Sequence, residues 1–366
     1  MAEYLIILIW PAIVAGITNS FGKKKAINVL NKIEFRHYFL PLVIAVIPLI
    51  YYTTNRTLVF GDTSAYMYSY NHMPTDLSYI NDYMSTVYKD EFFYFTSALI
   101  KIYISDNYLT YFAIFAIFHI FCILFVYRKY SESAFLSLFL FLVSTDYISW
   151  MYNGIRQFTA VCITFLCCGL ILKRKYIPAI IIMAFASFFH GTAWIVIPFM
   201  FIAQGKPWNK KTILFILSII IAILFVDQFT NVLDTLLVDT QYSNVVSDWQ
   251  AGQDDGTNFI RVLIYCIPAI LALFGRKKIL EANNPVINLC TNMSIAAAGF
   301  YIISMFTSGI FMGRLPIYFS LYSYILLPWE LNHIFNKESK NIIMFIMIIC
   351  YIGYYFFSLK FGFGLI

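Results

Sequence analysis

The chain has 366 residues, of which 61% are hydrophobic and only 12% charged. Soluble domains carry about 25% charged residues, so a soluble globular fold is excluded and the composition demands a polytopic membrane protein. The net charge of +6 is explained below by topology, and no nucleic-acid partner is expected.

The N-terminal run YLIILIWPAIVAGI follows Glu3 and precedes Lys23, Lys24 and Lys25. A cleaved signal carries positive charge before its apolar stretch. The reversed order reads as a retained span with its N-terminus outside. Hydropathy places spans at 4–21, 38–54, 107–127, 133–148, 155–172, 212–227, 259–274, 286–308, 315–334 and 341–357. The run at 177–203 is flanked by lysines and arginine on both sides: Lys173, Arg174 and Lys175 before it, Lys206, Lys210 and Lys211 after it. Both flanks then want the cytoplasm. A hairpin of two short helices turning near His190 and Gly191 satisfies them; one span through His190 is the alternative. The expected fold is all-α, a single integral membrane domain over 1–366 with about 11–12 transmembrane helices, the hairpin included, and a cavity open to the outside.

With the hairpin the charges sort. Loops at 23–36, 128–132, 173–176, 206–211, 275–285 and 336–340 hold most lysines and fall inside. Glu34, Glu132, Glu281, Glu330 and Glu338 are the inner acids. Two outer segments are long, about 55–106 and 228–258. The first holds EFFYFTSALIKIYI, an amphipathic stretch suited to the interface. Substantial loops on one side alone point to work on that side. The seven cysteines all fall in apolar runs without metal-site spacing and read as small core residues.

Four outer arginines have no lysine beside them: Arg56, Arg156, Arg261 and Arg314. Three open helices running inward. Asn153 is placed to cap the first and Asn258 the second, while Gly313 and Pro316 mark the start of the third. A cation is mildly unfavourable at a helix N-terminus. Three such placements point to a missing anion; a phosphate or diphosphate would use both arginine forks and free backbone N–H groups. The plainer reading has the arginines meet lipid headgroups or loop acids such as Asp62, Asp146 and Asp227. Arg56 is the weakest case, since it follows a helix end.

Other candidates have plain readings too. Asp62 in FGDTSAY suits a base or acceptor contact, or a turn after Gly61. His190 suits catalysis, or packing within an apolar helix pair. Glu91 could orient a phosphate-binding arginine, or start an interfacial helix. Asp254 and Asp255 in QAGQDDGTN read as a solvated turn rather than a metal site. The outer tyrosines Tyr66, Tyr68 and Tyr70 could stack on sugars. No Walker loop, HExxH or Ser/His/Asp arrangement is present.

The order of an N-terminal span ending in lysines, NRTLVFGDTSAY, DEFFYF, NGIRQ, FFHGTAW and GRLPIYF resembles the EpsG-like branch of Wzy-type polysaccharide polymerases. The resemblance covers most of the chain, with NGIRQ followed by the His190 segment its most specific part. It implies a bacterial inner-membrane glycosyltransferase of O-antigen or lipopolysaccharide type. Such enzymes join oligosaccharide repeat units carried on undecaprenyl diphosphate at the periplasmic face. By motif it carries Arg56, Asp62, Arg156, His190 and Arg314 into the site; Arg261 rests on charge alone. Asp62 and His190 are the catalytic candidates, the four arginines the diphosphate ligands, and Asn153, Gln157 and Glu91 the supporting residues. No cofactor or metal is called for. The expected partners are lipid-linked donor and acceptor, the bilayer and a chain-length regulator. A flippase or an O-antigen ligase would share the cationic site.

Overall fold

The computed structural model describes residues 1–237 and 256–366. The protein is an all-α polytopic membrane protein with one small β-hairpin. Among the described residues five helices are long and apolar enough to cross a membrane, and up to eight spans result if each of three bent helix pairs is one span. Several expected spans are therefore broken helices. The chain divides into two compact units, Met1–Val196 with Phe345–Ile366, and Ile197–Met344.

The first unit opens with α1 (Ala2–Phe21), then β1 (Lys24–Val29) and β2 (Lys32–His37). This antiparallel hairpin was expected as a loop. Its two-residue turn has positive φ at both Leu30 and Asn31, the backbone that matches strand twist, and Asn28 Oδ1 accepts from the Asn31 N–H at 2.9 Å. Next come α2 (Phe39–Ala45) and α3 (Ile47–Thr54), one expected span interrupted at Val46. Pro48 in the first turn of α3 cannot donate to the preceding turn, which fits that break.

Short helices α4 (Thr63–Asn71) and α5 (Ile80–Ser85) lead to α6 (Glu91–Tyr103). The amphipathic stretch does form α6, with Phe93, Ala98 and Ile100 buried. Lys101 turns inward to donate to the carbonyls of Tyr70 and Asn71 at 2.9 and 2.6 Å. It thus satisfies carbonyls at the end of α4, as cations do at helix C-termini.

The unit's core lies between α7 (Tyr108–Tyr130), α8 (Ala134–Val143) and α9 (Ile155–Leu166). His119 and Thr159 bridge α7 to α9 at 2.9 Å, a polar pair of the kind that joins membrane helices. The chain bends 74° between α8 and a π-helical turn at Tyr147–Asn153. That turn delivers Gly154 to the start of α9. After α10 (Cys168–Leu172), α11 (Tyr176–Ser187) ends before His190, whose backbone is extended. A 3-10 turn at Gly191–Ile195 packs back on α11 and α9 and leads into α12 (Val196–Ile202). The run at 177–203 is thus two short helices broken around His190.

The second unit holds α13 (Lys210–Leu224) and α14 (Val226–Leu237), bent by 101°, then α15 (Phe259–Phe274) and α16 (Arg276–Ala282). Its centre is α17 (Pro285–Ile303), buried nearly throughout against α15 and α18 (Ile317–His333). Ser294 and Ser323 join α17 to α18 at 2.8 Å, and Asn292 accepts from Thr212 while donating to the Ala203 carbonyl. The last helix, α19 (Lys337–Phe357), runs across the division between the units.

Six cysteines are buried, Cys350 is exposed and none forms a disulfide. Glu330, expected among the inner acids, is fully buried in α18, with neither carboxylate oxygen hydrogen-bonded.

Candidate functional site

Four segments of the first unit meet: the loop around Arg56–Tyr66, the start of α6, the π-helical turn into α9, and the turn after α11. Gly61 has φ +51°, and a Cβ there would overlap Asn153 Oδ1. Glycine therefore permits the close approach, and Asn153 Oδ1 accepts from the Asp62 N–H at 2.7 Å. Asn153 is consequently not the cap of α9; the cap position falls on Gly154, without a side-chain hydrogen bond. Asn153 instead ties the Asp62 loop, 91 residues away, to the start of α9. The Asp62 side chain is exposed.

Arg156, in the first turn of α9, has a partner that sequence reasoning did not name. Its Nη1 lies 2.7 Å from Asp90 Oδ2, with Asp90 only 8% exposed. The same carboxylate accepts from the Gly191 N–H. Burial pushes the Asp90 carboxyl above the usual carboxylate range, with Arg156 pulling the other way. The Tyr66 hydroxyl also hydrogen-bonds the Arg156 guanidinium, and the Tyr94 ring lies 5.9 Å from it. Glu91, the acid singled out from sequence, is exposed at the start of α6. Asp90 was hidden from sequence reading because adjacent acids at a helix start cannot be ranked; its left-handed backbone, φ 51°, turns it inward.

Arg56 is 7% exposed. Its Nε donates to Thr63 Oγ1 at 3.1 Å and its Nη1 to the Thr53 carbonyl at 2.8 Å. The guanidinium stacks 3.8 Å over Phe112, with Tyr152 at 5.4 Å. Its Nη2 is buried without a hydrogen-bond partner, and among the described residues no carboxylate pairs with it. Burial draws the group down to about 10, so it is still charged at neutral pH. Tyr66 acts electrostatically on both Arg56 and Arg156, so one tyrosine lies near both cations.

His190 is buried, with Nδ1 2.7 Å from Thr192 Oγ1. It sits at the turn whose next N–H binds Asp90, so the Arg156 ion pair and the histidine share one support. Gln157, the next residue in α9, is buried. Of the three tyrosines expected to meet sugars, Tyr66 and Tyr70 are interior, Tyr70 stacked on Tyr111. Only Tyr68 is exposed.

Arg261 and Arg314 belong to the second unit. Arg261 opens α15, where Asn258 caps the helix through the Ile260 N–H as expected, and its guanidinium lies 5.7 Å from Tyr265 and 5.9 Å from Tyr301. Arg314 ends a 3-10 turn just before α18. The Thr257 N–H donates to the Ser304 carbonyl, and a Cβ on Gly313 would come within 2.5 Å of Thr257 Oγ1. The start of α15 is thereby seated on the segment that carries Arg314. Asp254 and Asp255 lie outside the described residues. Among those described, no three His, Cys, Asp or Glu side chains group to hold a metal ion.

A polytopic helical membrane protein whose first unit gathers a buried arginine, Arg56, and a partly exposed one, Arg156, where its loops meet is the class these features define. The profile of the EpsG family matches residues 39–363. The chain belongs to that family, whose members are associated with polysaccharide polymerisation. No curated protein and no solved structure matches it.

Proposed function

We propose that the protein polymerises undecaprenyl-diphosphate-linked oligosaccharide repeat units at the periplasmic face of a bacterial inner membrane. The observation that carries this reading is the buried guanidinium of Arg56, which no carboxylate among the described residues pairs with, beside the Arg156 centre. A buried charge without a countercharge is expensive, and an incoming phosphate oxygen would supply one. Arg156 adds a fork that is presently shared with Asp90. Arg261 and Arg314 are proposed to offer the same guanidinium chemistry within the second unit.

The reaction breaks the bond between the donor's anomeric carbon and its phosphate oxygen. A hydroxyl at the non-reducing end of the incoming unit forms the new glycosidic bond. Negative charge gathers on the leaving lipid diphosphate, where fixed arginines stabilise it without reorganising. Positive charge gathers on the sugar, as in other oxocarbenium chemistry. The acceptor proton goes to Asp62 or His190. Asn153 sets the position of the Asp62 loop, Gln157 backs Arg156, and Asp90 takes the orienting role first assigned to Glu91.

The test is deletion in the source bacterium, followed by gel analysis of its surface glycan. A band of single repeats in place of a ladder supports a polymerase. Loss of all surface glycan means a flippase or a ligase and overturns the reading.

A further inference from the structure

The hairpin of β1 and β2 precedes the 39–363 segment that matches the family. It closes a cavity of about 130 Å³ with the first turn of α8 and the end of α7. Its wall carries Lys24, Arg36, His37 and Arg128 against one acid, Glu132. An engineered cavity of ~150 Å³ holds benzene, so a tetrahedral oxyanion fits this one.

The polar atoms there are held in place. Lys24 and His37 face each other across the strand pair. Arg36 pairs with Glu34 through Nη2, while its Nε is buried without a hydrogen-bond partner. Arg128 Nε donates to the His37 carbonyl at 2.9 Å, fixing the end of α7 on the hairpin. His37 Nδ1 is likewise buried and unpartnered. Burial and nearby Lys24 hold His37 below its usual range, with the Lys23 backbone pulling the other way. Ser133 caps α8 through the Leu136 N–H, and Ser133, Ala134 and Phe135 line the cavity.

We propose that this cavity binds one phosphate group, separate from the arginine site of α9. Two guanidinium forks, an ammonium and the start of a ten-residue helix suit a tetrahedral anion. The apolar surroundings fit a group delivered from the bilayer: Phe21, Ile33 and Phe35 are all strongly exposed beside the lysines. The same chemistry would accept free phosphate from solution, and the experiment separates the two sources.

The full chain is purified in detergent and offered phosphatidylglycerol or inorganic phosphate in parallel. Retained phosphatidylglycerol is counted by native mass spectrometry, and thermal unfolding is followed with either ligand. Lys24→Gln tests the site, because Lys24 is exposed and its loss leaves the Arg128 tether intact. Lys32→Gln, at the other end of the hairpin and not lining the cavity, is the charge-matched control. One lipid retained by the wild type and by Lys32→Gln, with at least fivefold loss in Lys24→Gln, supports a headgroup site. Thermal stabilisation by millimolar phosphate, lost in Lys24→Gln alone and unmatched by lipid, supports a free-phosphate site. Equal loss in both variants means diffuse charge attraction and overturns the proposal, as does no binding of either ligand. Arg36→Gln adds a check: unchanged retention there would also overturn it.

Discussion

Asp90 and Arg156, 66 residues apart, form a 2.7 Å ion pair at the mouth of α9. The carboxylate also accepts the Gly191 N–H, so one acid joins the start of α6, the start of α9 and the His190 turn. The sequence alone reads Arg156 as a cation waiting for an anion. The pair changes that expectation. Arg156 has a countercharge already, and a substrate phosphate must share the guanidinium with Asp90 or displace it.

Arg156→Ala should therefore cost stability as well as polymer. It strands a carboxylate that is 8% exposed. Breaking a buried pair costs ~3–5 kcal/mol, and the 27% exposure of Arg156 puts this case toward the lower end. Asp90→Asn/Arg156→Ala should recover most of the lost thermal stability while polymer stays absent. Unfolding of the purified variants, set beside glycan gels, measures both. If the double variant unfolds as easily as the single one, the ion pair is not the support inferred here.

Asp90→Asn alone should tighten anion binding. The amide oxygen can still accept from Gly191, so the turn is retained, but the competing charge is gone. Inorganic pyrophosphate should raise the melting temperature of Asp90→Asn more than that of the wild type. The gain should disappear in Asp90→Asn/Arg156→Ala. An equal or smaller rise in Asp90→Asn would show that the carboxylate assists anion binding rather than competing with it.

Gly61→Ala tests the tether between Asp62 and Asn153. The left-handed backbone costs a non-glycine residue ~1–2 kcal/mol, and the added methyl overlaps Asn153 Oδ1. The variant should unfold at lower temperature and make shorter chains. Gly61→Ala/Asn153→Ala removes the overlap but not the backbone cost or the lost hydrogen bond, so it should recover stability in part and chain length not at all. Full-length ladders from Gly61→Ala would show that the position of Asp62 is unimportant to polymerisation.

Apolar spans were legible because hydropathy depends on composition over many residues, and the Asn258 cap was legible because it is local. The hairpin was not: Leu30-Asn31 lacks the usual glycine of a two-residue turn, and its strands carry lysines that serve equally as topology signals. Bends were illegible where the cause is not proline, as at Thr145, whose φ is +66° between α8 and the π-helical turn. Arg56 and Arg156 could be selected from charge context alone. Their partners could not, because Asp90, Tyr66 and Phe112 reach them through tertiary packing. Asn153 shows the limit clearly. It has a capping residue type beside a helix start, yet the π-helical turn directs it to a loop far away in sequence.

The charge balance at Arg56 leads to the last prediction. Stacking on Phe112 contributes up to ~2 kcal/mol, and its two hydrogen bonds to Thr63 and Thr53 add ~1 kcal/mol or somewhat more each. Against these stand several kcal/mol for desolvating a cation that no acid among the described residues neutralises, together with an Nη2 left unbonded. The opposing contributions nearly cancel, so the empty protein should gain little from the charge. Arg56→Met keeps the length and fills the space over Phe112 with an apolar side chain. It should melt within a few degrees of the wild type, or above it, and insert at normal abundance while making no polymer. It should also lose the stabilisation that pyrophosphate confers. Arg56→Lys keeps the charge but not the fork and should make only short chains. A large fall in the melting temperature of Arg56→Met would assign the guanidinium to holding α3 and α4 together. Full-length ladders from the same variant would remove Arg56 from the diphosphate site.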